Sequence, residues 1–312
     1  MQKYIELKNR ESFGDLVDIY FKFLKQNIKP FLNNYLRYNF IGFIFMMITA
    51  YLIVHGFMGL SSRTFKFGAS SSTDNYESYL YLGIGLGVFV YLFTYLINSA
   101  FSGSYISQYV ENKNNFTSKM IWDRVMHNIG SLALMIFIGI AFMIGYFIIS
   151  GLLTVALSFI HPYVPFFFTL ILQFLIKIFL GLIFVAIFDN NNGIGKGMSN
   201  AWELFIHNFL FVLGYSFSLS MLNLIITTLI LMIPGTLFGI YVFFSIENNT
   251  VLYTSPTANV LFTLFFCLYI IVYTGLQALN QLAFGTLYYN LHEKKFNTHL
   301  QSRIELIGQT TE

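Results

Sequence analysis

Polar and apolar positions alternate along this chain on a long scale. Six apolar runs, at about 39–60, 79–101, 129–158, 166–188, 209–233 and 258–287, are separated by shorter polar stretches. About 20 consecutive apolar residues cross a bilayer as a helix, and no Asp or Glu falls inside any of the six. Three of the polar stretches share a finer pattern. Phe21-Lys22-Phe23-Leu24-Lys25-Gln26-Asn27-Ile28 reads aromatic, charge, three residues, Gln or His, Asn, apolar. Trp122-Asp123-Arg124-Val125-Met126-His127-Asn128-Ile129 and Trp202-Glu203-Leu204-Phe205-Ile206-His207-Asn208-Phe209 repeat it. Self-similarity of this kind marks a copied supersecondary unit. The unit predicted is a surface helix followed by a membrane hairpin, used three times.

The surface helices are predicted from spacing. Phe13, Leu16, Val17, Tyr20 and Leu24 fall on one helical face, while Asp15, Asp18, Lys22, Lys25 and Lys29 fall on the other. Ser12 with Asp15 three positions on resembles a capping box. In the second copy Ile121, Trp122, Val125, Met126 and Ile129 oppose Lys119, Asp123 and Arg124. Such helices lie in the membrane interface, which makes Phe21, Trp122 and Trp202 candidate interfacial anchors. A second register closes each unit. Gly103, Gly181 and Gly285 sit near the end of each hairpin's second helix, and eight residues on come Glu111, Asp189 and Glu293. Asn27 to Gly103 is 76 residues, Asn208 to Gly285 is 77, and Asn128 to Gly181 is 53 because the middle hairpin turns tightly at His161–Pro165. Glycines at such places let helix backbones approach. The acids read equally well as solvated ends.

The stretch 234–257 is ambiguous. Pro234-Gly235 is expected to end the fifth span, leaving Leu237–Ile246 too short to cross. It reads as either an interfacial helix or a re-entrant segment, and the interfacial reading is preferred.

Composition agrees with a membrane chain. The 312 residues are 56% hydrophobic and 10% charged, with a mean hydropathy of +0.65; a soluble domain carries about 25% charged residues. The single cysteine, Cys267, rules out a disulfide framework or a cysteine metal site. A net charge of +3 gives no argument for nucleic acid. The first 38 residues lack the continuous apolar core of a cleavable signal peptide, so the first span is expected to act as an uncleaved signal. Basic residues are lopsided. Lys3, Lys8, Arg10, Lys22, Lys25, Lys29 and Arg37, then Lys113, Lys119, Arg124, Lys196, Lys294, Lys295 and Arg303, fall on one side, against Arg63 and Lys66 on the other. The positive-inside rule therefore places both termini in the cytoplasm. Heavy use of Phe, Ile, Asn, Tyr and Lys points to an AT-rich bacterial genome, and so to a bacterial cytoplasmic (inner) membrane.

The fold expected is all-α and polytopic, with six transmembrane helices as three quasi-repeated hairpins, each preceded by a cytoplasmic amphipathic interfacial helix. The domains expected are a cytoplasmic N-terminal segment at 1–38, a membrane domain at 39–290 with repeats at about 12–112, 117–190 and 196–295, and a cytoplasmic tail at 291–312.

One constellation suggests a site. Asn98-Ser99, Ile176-Lys177 and Asn280-Gln281 each lie four to five residues before a register glycine. Lys177 is at the middle of its span, roughly 18 Å from either end at about 1.5 Å per residue. A charge there costs at least about 2.5–3.5 kcal/mol on insertion scales. Lys177 with Gln173, Asn98, Asn280 and Gln281 is the candidate lipid-binding or polar layer; the alternative is a tolerated lysine that fixes hairpin docking. Other signals fail. Gly193-Ile194-Gly195-Lys196-Gly197 follows a span instead of a strand, so it reads as an elbow and not a phosphate loop. His127 and His207 make a weak metal pair, and Asn248-Asn249-Thr250 is a common three-residue glycosylation match. No nucleophile–base pair stands out, so no enzyme activity and no cofactor are expected.

The pattern around Phe21, Trp122 and Trp202, the Asn27, Asn128 and Asn208 set, and the three glycines, over residues 10–295, resembles a loose group of bacterial integral-membrane proteins. That group includes the membrane domain attached to some glycerophosphodiester phosphodiesterases. There the phosphodiester chemistry belongs to an attached soluble domain, so the resemblance implies a membrane part without that activity. The function expected is a non-enzymatic accessory or scaffold subunit of an envelope complex for protein export, transport or lipid handling. Its partners would be membrane lipids and other inner-membrane proteins. The alternative is a small transporter or anionic-lipid-binding protein built on the layer around Lys177.

Overall fold

The computed structural model describes residues 4–65, 75–161, 163–189, 192–248, 252, 255–297 and 301. Lys3, Lys66, Pro162, Asn249, Thr250, Arg303 and most of the tail after 297 lie outside these residues. The described part is all-α and has no strand. Its helices are α1 (Phe13–Phe65), α2 (Tyr76–Glu111), α3 (Ser118–His127), α4 (Ile129–Leu157), α5 (Tyr163–Phe188), α6 (Gly193–His207), α7 (Phe209–Glu247) and α8 (Pro256–Phe296). Six of them, α1, α2, α4, α5, α7 and α8, are long and apolar enough to cross a membrane.

Three expectations about where elements stop are corrected. The N-terminal amphipathic stretch is not a separate helix, because α1 runs 53 residues without a break through Pro30. The stretch after Pro234 is no separate interfacial element either, since α7 continues for 39 residues to Glu247. Proline removes one donor and crowds the preceding turn; in membrane helices, hydroxyls and neighbouring helices re-satisfy the freed groups. Pro234 takes the helical donor from the Ile230 carbonyl, and in the same turn the Thr236 hydroxyl donates to the Met232 carbonyl at 2.7 Å. Finally, Gly193–Gly197 is no elbow but the first turn of α6, entered with Gly193 at φ +68°, a left-handed conformation suited to glycine.

The expected starts fare better. The Ser12 hydroxyl lies 2.5 Å from Asp15 Oδ2, and Asp15 N donates back to Ser12 Oγ at 3.4 Å, at the N-terminus of α1. Thr117 caps α3 by accepting from Met120 N at 3.4 Å.

The chain divides into two compact units. One comprises Met1–Tyr35, Asn98–Met221 and Ala278–Glu312; the other comprises Leu36–Ile97 and Leu222–Gln277. Within the second unit α1 and α2 pack backbone to backbone. A Cβ added at Gly56 would lie 2.6 Å from Leu80 N, and one at Gly83 2.9 Å from Ile53 N. Val54, Met58 and Ala258 form a small core there, with Tyr241, Phe262 and Phe266 packed against it. Asn259 Nδ2 lies 3.0 Å from His55 Nδ1, and the Tyr51, Tyr76 and Tyr79 rings surround that histidine at 5.2–5.6 Å.

Candidate functional site

The first unit is organised around the three register glycines. A Cβ on Gly103 of α2 would sit 3.0 Å from the Phe188 ring and 3.2 Å from the Phe184 carbonyl of α5. A Cβ on Gly181 of α5 would overlap the Phe284 ring of α8. A Cβ on Gly285 of α8 would lie 2.5 Å from Ile106 of α2. Each of α2, α5 and α8 therefore presses a glycine against the next, around a closed circuit of three helices. Phe184 and Ile106 stand three residues after their own helix's glycine, and Phe284 stands one before it. Offsets of three and minus one share a helical face, so the three contacts use one face of each helix.

Hydrogen bonds lock the same circuit. Gln281 Nε2 donates to the Gly181 carbonyl at 2.8 Å, and the Ser107 hydroxyl donates to the Phe188 carbonyl at 2.9 Å. The acids eight residues beyond the glycines are not uniformly solvated ends. Asp189 and Glu293 are buried. Asp189 accepts from the Tyr288 hydroxyl at 3.1 Å and from the Tyr289 hydroxyl at 3.3 Å. Glu111 is paired with Arg124 of α3, whose Nη1 lies 2.9 Å from Oε1 and also donates to Ser107 Oγ at 2.6 Å. Lys295 at the end of α8 pairs with Glu203 of α6.

The N-terminal segment lies across this end of the unit. Ile5 N donates to the Tyr109 hydroxyl at 2.9 Å, Leu7 is buried, and Asn290 Nδ2 donates to the Asn9 carbonyl at 2.9 Å. Arg10 Nε donates to the Glu293 carbonyl at 3.3 Å. Burial, then the Glu6 carboxylate, push the Tyr4 phenol well above its ordinary value, so it stays protonated beside the Tyr109 ring, 5.1 Å away.

The three pattern asparagines behave alike. Asn27 Nδ2 donates to the Phe23 carbonyl at 3.0 Å, Asn128 Nδ2 to Arg124 at 3.1 Å, and Asn208 Nδ2 to Leu204 at 3.2 Å. In the second and third cases the asparagine is the residue between a short helix and a long one. At Arg124 the side chain adds to the backbone N–H of Asn128, which donates to the same carbonyl at 3.2 Å.

The polar-layer residues are placed unequally. Asn98, Asn280 and Gln281 are buried, Lys177 is half-buried, and Gln173 is exposed. Ion pairs among the described residues join Lys22 to Asp18, Arg124 to Glu111 and Lys295 to Glu203, and Lys177 is in none of them. Of the aromatic anchors, Phe21 and Trp202 are exposed, while Trp122 is half-buried against a cluster of Ala100, Val125 and Phe188. Leu16 and Tyr20, expected on a lipid-facing stripe, are buried in protein, with the Tyr20 hydroxyl donating to the Leu279 carbonyl at 3.2 Å. Among the described residues no group of three His, Cys, Asp or Glu is placed to hold a metal.

Sequence reasoning missed Tyr288, Tyr289, Ser107 and the strap at residues 4–10. The available signal was Leu287-Tyr288-Tyr289-Asn290, a polar-tipped run just before the acid of the third register.

No protein-family model matches the chain, and neither does any curated protein or solved structure.

Proposed function

We propose that this chain is a non-enzymatic scaffold or accessory subunit of a bacterial inner-membrane complex. In this reading it is built as three quasi-repeated hairpins, each led in by an amphipathic stretch at the interface, with both termini cytoplasmic. The observation that carries the proposal is the closed glycine circuit. At Gly181 and Gly285 one added methyl group would have to displace Phe284 or Ile106, and at Gly103 it would press on the Phe188 ring and the Phe184 carbonyl. A centre packed this tightly acts as a joint and not as a passage. Much apolar surface remains for lipid and protein neighbours: only 6% of the most apolar window of α4, and of α7, is buried inside the chain.

Purification of the tagged chain in mild detergent, followed by mass spectrometry, tests the role. A stoichiometric membrane partner is expected, and a chain that runs alone and monodisperse contradicts the scaffold reading. Orientation is tested by cysteine labelling in a Cys267→Ser background. Ser255→Cys should react from outside intact cells and Lys113→Cys only after permeabilisation; labelling of position 113 in intact cells reverses the topology.

A second reading, an anionic-lipid or transport site around Lys177, draws support from that lysine's half-buried place in the middle of α5 without an ion pair among the described residues. A lysine held only by neutral groups binds phosphate as a point charge. Lys177→Met separates the two readings, since it removes the charge and keeps the length.

A further inference from the structure

A groove of about 640 Å³ opens on the first unit between α4, α5 and α6. That is within the range of about 300–1,000 Å³ typical of small-ligand sites. Its walls are Leu134, Phe137 and Phe142 of α4, Phe179 of α5, and Met198 and Trp202 of α6. The aromatic floor is ordered: Phe142 and Phe179 stand 5.7 Å apart, and Phe179 and Trp202 5.5 Å apart, both edge to face. Leu134, Phe137, Met198 and Trp202 remain exposed along its mouth.

The groove has an apolar end and a polar end. From Leu134 to Phe142 it follows a span-length helix for eight residues, about 12 Å at 1.5 Å per residue. At α6 it meets Gly195 and Ser199, and the exposed Lys196 stands outside the lining, three residues before Ser199 and so beside it at the rim. Hydrocarbon walls, with one hydroxyl in the lining and a cation at the rim beside it, match one kind of molecule. We propose that this groove is a site for a single anionic phospholipid. One acyl chain lies along Leu134, Phe137, Phe142 and Phe179, and the phosphate sits at Lys196 and Ser199, with Trp202 at the level where chain gives way to headgroup. Tryptophan suits that level because its ring is apolar while its N–H takes a polar partner. The site is separate from Lys177 and does not depend on the scaffold reading.

The chain's two tryptophans make the test direct. Trp122→Phe leaves Trp202 as the sole fluorophore, and brominated acyl chains quench tryptophan on contact. The full chain is reconstituted in phosphatidylcholine vesicles containing a small fraction of either brominated phosphatidylglycerol or brominated phosphatidylcholine. One lysine at the surface should favour the anionic lipid about fivefold, so Trp202 should be quenched at correspondingly lower fractions of it. Lys196→Gln should erase that preference and leave chain contact intact. Gly195→Phe should fill the groove and reduce quenching by both lipids. It should still fold, because a Cβ at Gly195 meets nothing within 4 Å.

Quenching that simply follows bulk composition, equal for both headgroups and unmoved by Gly195→Phe, would mean ordinary annular lipid and overturn the proposal. Protection of Trp202 from every brominated lipid would also overturn it, since a protein or second copy would then cover the groove. Native mass spectrometry of the unsubstituted chain gives an independent reading. A retained phospholipid mass that Gly195→Phe removes supports the site, and its retention in that variant counts against it.

Discussion

Two span-length helices consecutive in the chain make an instructive pair. α4 and α5 are equally apolar by hydropathy, yet 6% of the α4 window is buried within the chain against 50% of the α5 window. Hydropathy reports the solvent, which for both is hydrocarbon, and says nothing about which helix touches protein. Without a water-driven hydrophobic effect, close packing and hydrogen bonds choose the partner. The glycines show the choice. Gly139, Gly145 and Gly151 of α4 have open space where a Cβ would go, whereas Gly181 of α5 faces the Phe284 ring. A glycine thus marks a helix–helix contact only where a neighbouring helix supplies the facing group, as at 103, 181 and 285 and at Gly56 and Gly83.

The largest effect expected follows from that contrast. Gly181→Leu should exceed the usual overpacking penalty of about 1–3 kcal/mol and deplete folded protein after detergent extraction. Gly145→Leu should leave yield and thermal midpoint unchanged. Equal behaviour of the two variants would remove the distinction between the helices.

Next in size is the buried end of α5. Asp189→Ala strips the acceptor from the Tyr288 and Tyr289 hydroxyls, at a cost of about 1–3 kcal/mol. Asp189→Asn keeps an acceptor oxygen and should lose less. Thermal melts of the two variants side by side measure the difference, and a neutral alanine variant would show that the clasp contributes nothing.

A smaller effect is predicted at α6. The hydrogen bond from Lys295 holds the Glu203 carboxyl below its ordinary value of 4.5. Because the folded value is depressed, the pair's stabilisation is full above about pH 4.5 and fades as pH falls through the folded value. The thermal midpoint should therefore drop on acidification below about pH 4.5, and Glu203→Gln should lessen that drop. Glu203 is only half-buried, so solvent screens the pair and the change is slight. A pH profile identical in both proteins would contradict the pairing.

Smallest of all is Lys177→Met. With the charge gone from mid-span, stability should be unchanged or slightly raised, and partner recovery should be unaffected. Loss of a bound lipid or of a transport activity in this variant would favour the second functional reading.

The sequence made the six spans legible because length and hydropathy answer to bilayer thickness alone. The register of Gly103, Gly181 and Gly285 was also legible, since the eight-residue offset to Glu111, Asp189 and Glu293 repeats in the primary structure. Helix ends were not. Pro234 reads as a break by a rule learned in water, and hydrocarbon relaxes that rule. Nor could periodicity distinguish a lipid-facing stripe from a protein-facing one, which is why Leu16 and Tyr20 were assigned to lipid and lie in the core. Among the polar-layer residues, Asn98, Asn280 and Gln281 went inside and Gln173 did not. Depth can be counted along a helix, but facing depends on neighbours that the sequence does not name. The Asp189 clasp needed two helices about 100 residues apart, and no local signal carries that distance.

The central claim is the closed circuit of α2, α5 and α8, and disulfide cross-linking in native membranes tests it most directly. In a Cys267→Ser background, three double variants replace a glycine and the residue whose side chain it faces: Gly103→Cys with Phe188→Cys, Gly181→Cys with Phe284→Cys, and Gly285→Cys with Ile106→Cys. Each removes a bulky side chain where it adds a small one, so packing is relieved and not overloaded. Residues in such close contact can meet the span of a disulfide, about 4.4–6.8 Å between Cα atoms. All three pairs should cross-link within one chain under mild oxidation, and Gly145→Cys with Phe184→Cys should not. Failure of any one of the three, or equal linking of the control, would contradict the circuit.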